Sequence, residues 1–231
     1  MNAFIDYPLT VMNSLKNEIK SMAPLASDYA EDPARHFKRR RKIGVVDLIT
    51  FLIVIGNSNT EIELNRYFDY NVDAIPRSSA FIQQRSKLKL YALRYLLKAF
   101  NDNFPLTLYR NKYNLIAVDG CEFNIYRNAD DPETYYEPSG KTTLGYNMIH
   151  TIPLFDVISK RYLDIEFQPS RMKNEFQAYC NLVDRYESDV QPIFIADRGF
   201  ASYNTFAHTI EAKRKFLIRA KDLNVKRFLN L

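Results

Sequence analysis

Leu115-Ile116-Ala117-Val118-Asp119-Gly120 reads as a strand that stops on an aspartate, and Ile193-Phe194-Ile195-Ala196-Asp197-Arg198-Gly199-Phe200 repeats the pattern further along. Each is a short apolar run of the kind buried on both faces of a sheet, and each is ended by glycine or by Arg-Gly. In an open α/β sheet the carboxyl ends of such strands are where reactive side chains gather. If the two strands are neighbours, Asp119 and Asp197 converge. Two anions so close repel, and a hard divalent cation such as Mg²⁺ relieves the repulsion. Taken singly, either aspartate reads as a turn former or a helix cap, and it is the pair together with the order of elements that points to a metal site.

Working outward, Tyr146 to Val157 and Tyr162 to Phe167 are expected to form paired strands. In the second, Leu163, Ile165 and Phe167 alternate with Tyr162, Asp164 and Glu166, which places the acids, with Asp156, on the wet face of a hairpin. Pro153 puts its segment at an edge or a bulge. Phe176, Tyr179, Cys180 and Val183 have helical spacing and precede the strand Pro192 to Ala196. Tyr203, Phe206, Ala207 and Ile210 mark another helix, which leads to the strand Phe216 to Ile218. The order strand, strand, strand, helix, strand, helix, strand describes a ribonuclease-H-like mixed-sheet core.

Upstream the pattern is helical. Val11, Leu15, Ile19 and Met22 form one apolar stripe, and Leu88, Tyr91, Ala92, Tyr95, Leu96 and Ala99 another. Val45 to Ile55, Thr60 to Phe68 and Ser79 to Phe100 suggest three helices in a helix-turn-helix order, with Ser58 and Glu61 as a capping pair and Pro76 announcing the third. The segment Asn101-Asp102-Asn103-Phe104-Pro105 breaks the pattern. We therefore expect an α+β, α/β protein with a helical domain over 1–107 and the core over 108–231.

The chain carries 32 Lys and Arg against 27 Asp and Glu, a net charge of +5. That balance favours a polyanionic partner. The excess gathers in Arg35, Lys38, Arg39, Arg40, Arg41 and Lys42, a run that is either a solvated segment or an arm contacting the phosphates of double-stranded DNA. Gln83, Gln84 and Arg85 lie near the start of the third expected helix, where such side chains suit base edges and phosphates; an ordinary polar helix face is the other reading. Cys121 and Cys180 sit in no metal-binding pattern, which suits a reducing, cytoplasmic setting. The most apolar stretch, Val45 to Ile55, is about half a membrane span. Gly140-Lys141-Thr142 lacks the rest of a phosphate-binding loop, and His36, His150 and His208 lack the HExxH spacing.

Leu115 to Gly120, Lys141-Thr142-Thr143-Leu144-Gly145-Tyr146-Asn147-Met148-Ile149-His150 and Ile195 to Phe200 together resemble the DDE transposases of the bacterial insertion-sequence-four family. Ser79-Ala80-Phe81-Ile82-Gln83-Gln84-Arg85 resembles the end of that family's DNA-binding domain. The resemblance implies metal-dependent DNA strand cleavage and transfer at transposon ends by a homodimer on double-stranded DNA in the bacterial cytoplasm. Asp119 and Asp197 correspond to the first two catalytic aspartates, ligands of Mg²⁺ or Mn²⁺. The family's third carboxylate is a glutamate in a Tyr/Arg/Glu/Lys helical motif beyond a β-rich insertion. Only Glu211 and Asp222 follow Asp197 here, neither in such a motif, so the expected core is incomplete. The alternative is an inactive relative that occupies or regulates transposon ends.

Overall fold

The computed structural model describes residues 3–39, 41–140 and 143–220. Arg40, Lys141, Thr142 and Asp222 of the sequence reading lie outside them. The chain divides into two compact units, Met1–Phe104 and Pro105–Leu231. Among the described residues no helix is long and apolar enough to cross a membrane.

The first unit holds α1 (Ala3–Ser21), α2 (Val45–Val54), α3 (Thr60–Tyr67), α4 (Ser78–Arg85) and α5 (Leu90–Asp102). Ile19 and Met22 of the first stripe pack with Tyr29, Val45, Ile49, Ala92 and Leu96. The opposite side of α2 buries Leu48 and Phe51 against Ile43, Leu64 and Phe81. Two local expectations change. Asn59, not Ser58, caps α3, its side chain accepting from the Ile62 amide, while Ser58 donates its own amide to Glu63. The long third helix is two helices, because residues 87–89 leave the helix to bond with the 29–31 segment: Glu31 N–H donates to Lys87 O and Lys89 N–H to Tyr29 O.

The second unit is one sheet with helices on it. Its strands are β1 (Tyr113–Val118), β2 (Cys121–Ile125), β3 (Tyr135–Tyr136), β4 (Tyr146–Asp156), β5 (Arg161–Pro169), β6 (Gln191–Ala196) and β7 (Lys215–Ile218). Helix α6 (Glu175–Arg185) joins β5 to β6, and α7 (Tyr203–Glu211) joins β6 to β7. The long β4 organises the sheet. Along one edge it pairs antiparallel first with β2, then with β1; along the other it pairs with β3 and β5. Beyond β1 the sheet continues in parallel to β6 and β7. An antiparallel meander flanked by two parallel strands with crossover helices is the expected ribonuclease-H-like topology.

Ile116, Val118, Ile152, Leu154, Phe194 and Ala196 form the inner face, packed against Ala178, Tyr179, Leu182 and Val183 of α6. Fully burying each large aliphatic side chain contributes about 1.5–3 kcal/mol. Pro153 is in a central strand rather than at an edge. It faces the break between β1 and β2, one residue before a register shift at Leu154/Phe155, so its missing N–H disturbs little of the ladder.

The register corrects the hairpin reading. Asp164 pairs with Leu154 and Glu166 with Ile152, so both acids share the inner face and lie under α6. Arg185 of α6 meets them, at 2.6 Å from Asp164 and 2.8 Å from Glu166. Asp156 is fully buried and accepts the Ile158 and Ser159 amides of the turn after β4.

Candidate functional site

β1 and β6 are parallel neighbours in continuous register from Tyr113↔Gln191 to Val118↔Ala196. Asp119 and Asp197 each follow the last pair by one residue, so the ends of two strands about 4.8 Å apart carry one carboxylate each. The condition set by the sequence, that these strands be neighbours, is met. Asp119 Oδ1 accepts the Gly120 amide at 2.8 Å, and Asp197 Oδ1 accepts the Gly199 amide at 2.6 Å. These bonds steady each side chain through one oxygen.

A Cβ at residue 199 would stand 2.8 Å from Asp197 Oδ1, so any other residue there would push the carboxylate from its bond to the residue 199 amide. Asp197 also caps the single 3-10 turn Arg198–Phe200, and Phe200 anchors that turn in the core. The expected repulsion is smaller than the sequence reading implied. Both aspartates are exposed, and unit charges about 4–5 Å apart in water repel by only about 1 kcal/mol. Repulsion of that size does not by itself demand a cation. The donor set suits Mg²⁺ or Mn²⁺, which take carboxylate oxygens and keep several waters. Among the described residues no group of three His, Cys, Asp or Glu is arranged as a ligand set. Glu211 is exposed at the last position of α7.

Beside Asp119 lies a cluster that the sequence did not reveal. His150 of β4 is 2% exposed and pairs across the ladder with Glu122 of β2. Its Nε2 is 3.3 Å from Glu175 Oε1 and its Nδ1 4.0 Å from Glu122 Oε1, yet neither nitrogen makes a hydrogen bond. A buried polar group so placed costs about 1–3 kcal/mol. Burial pushes the His150 pKa down against the pull of Glu175. Glu122 takes hydrogen bonds from Lys173 at 2.9 Å and Ser170 at 2.8 Å, which hold its carboxyl below the ordinary range. Glu175 is the first residue of α6, which Asn174 caps by accepting from Gln177. An Asn-Glu helix start is common, so no sequence signal set Glu175 apart.

In the first unit, Arg35, Lys38, Arg39 and Arg41 line one cleft of ≈ 690 Å³ together with Gln84 and Lys87. The fold thus brings the basic run to α4. Lys42 turns away to donate to Ile75 O at 3.3 Å. Gln83 and Arg85 are exposed on α4, with the Arg85 guanidinium over the Phe81 ring.

The family model described as a transposase DDE domain matches residues 110–227, a little over half of the chain. The chain belongs to this DDE transposase family. Both strand-end aspartates fall within the match. Among solved structures, the chain is similar to one titled Drosophila P element transposase strand transfer complex, at 9% identity and a TM-score of 0.42. That similarity covers 87% of this chain, which spans 47% of the other. No curated protein sequence gave a significant match.

Proposed function

We propose that this DDE transposase chain binds transposon-end DNA and supplies two metal-binding carboxylates, Asp119 and Asp197, for strand cleavage and transfer. The observation that carries the reading is their delivery by adjacent parallel strands in register, inside the family match. Asp119 and Asp197 would hold a Mg²⁺ or Mn²⁺ ion, which when bound would supply activation of a water or 3′-hydroxyl and stabilisation of the leaving oxygen of a phosphodiester. The chain's own part is to fix the two carboxylates through the Gly120 and Gly199 amides and to keep them open to solvent and substrate. Arg35, Lys38, Arg39 and Arg41, with Gln84 and Lys87, are the phosphate and base contacts of this reading, to which the sequence adds Arg40, Lys42, Gln83 and Arg85. Action on two DNA ends as a homodimer in the bacterial cytoplasm, within the insertion-sequence-four branch, completes it.

A second reading is a relative that occupies DNA without cutting it. It draws support from the two-carboxylate set among the described residues. Fe²⁺ in place of Mg²⁺, with ascorbate and peroxide, tests the metal site on which the first reading rests. The first reading expects the polypeptide to be cut near residues 119 and 197 and bound duplex DNA to be cut beside them, with both cuts abolished by excess Mg²⁺ and by Asp119→Asn or Asp197→Asn. Duplex binding without any localised cut supports the second reading. Cuts indifferent to these substitutions contradict the metal assignment.

A further inference from the structure

Residue 120 is a glycine although its φ is not positive. The constraint is spatial: a Cβ there would stand 2.8 Å from His150 Cε1, 3.0 Å from its Nε2 and 3.1 Å from Glu175 Oε1. The ring that fills this space has little freedom to retreat, being 2% exposed and set between β2 and the start of α6. Packing alone does not call for an imidazole, because both of its nitrogens are buried without a hydrogen bond while two carboxylates approach them. The cluster therefore joins four pieces of chain at one point: Gly120 after β1, Glu122 on β2, His150 on β4, and Glu175 on α6.

We propose that His150 is a positioning residue for the metal-binding end of β1, its ring filling the space beside Gly120 and so fixing the turn that aims Asp119 toward Asp197. The inference rests on the metal reading above and extends it to a residue that is not itself a ligand. His150 acts through the Gly120 backbone, whose amide in turn holds the Asp119 carboxylate.

The test is a double-substitution cycle on the full chain, read by Mn²⁺ binding and by thermal unfolding. Gly120→Ala and His150→Ala are each expected to weaken Mn²⁺ binding roughly tenfold or more, in the range seen when the partners that orient ligands are removed. The double variant should lose little beyond His150→Ala alone, since the added methyl no longer meets a ring. Losses that multiply in the double variant would overturn the proposal. If the unsubstituted protein binds no Mn²⁺, the metal reading fails, and unfolding still decides whether the ring and residue 120 meet. Gly120→Ala should lower the midpoint by on the order of 5 °C with His150 present and by much less without it. Equal lowering in both backgrounds would refute that meeting.

Discussion

At the scale of single residues, the buried imidazole has a consequence for stability that needs no DNA. The folded His150 pKa is lowered, chiefly by burial, with Lys173 acting the same way and Glu175 and Glu122 opposing. A group with a depressed folded pKa stabilises the fold above its unfolded pKa, about 6.5 for histidine, and that contribution is lost as pH falls further. Unfolding free energy from urea titrations should therefore decline on going from pH 7.5 to 5.5. His150→Phe should flatten that decline, and an unchanged slope would show that the ring takes up its proton without unfolding. The strand-end aspartates were legible at this scale because the apolar runs before them announce them. His150 and Glu175 were not, since their meeting depends on a ladder register and a helix start far apart in sequence.

Among the elements, α6 is tied to the sheet by charge as well as by its apolar face. Arg185 bridges Asp164 and Glu166, which are only 20% and 16% exposed at the side chain. Removing the cation leaves two partly buried carboxylates facing each other, so Arg185→Met should cost about 1–3 kcal/mol at pH 7 by urea unfolding. A change near zero would mean that the acids rotate to water freely. Period-two alternation in β5 suggested the opposite facing. The pattern is ambiguous because ion-paired acids satisfy an inner face as well as apolar residues do, and only the pairing of Ile152 with Glu166 resolves it. The strand and helix order itself was legible, because buried runs and 3.6-residue spacing do not depend on partners. β2 was not, as its five residues are all exposed.

For the molecule as a whole, the proposed division of labour puts DNA affinity largely in the basic cleft of the first unit. Neutralising Arg35, Lys38, Arg39 and Arg41 together should flatten the slope of log affinity against log salt by about 0.9 for each DNA phosphate that the protein no longer neutralises. Fluorescence anisotropy on a duplex across a salt series measures it, and an unchanged slope would remove the cleft from the interface. The sequence made the charge run visible but not its companions, since Gln84 and Lys87 reach the same cleft only through packing of the first unit. In the proposed function Asp119 and Asp197 act as one metal site. Electron paramagnetic resonance of free Mn²⁺ during titration of the protein measures that directly. Binding should be saturable and weakened at least roughly tenfold by Asp119→Asn or by Asp197→Asn, with the double variant little worse than either single one. Equal Mn²⁺ uptake by the unsubstituted protein and by the double variant would contradict it.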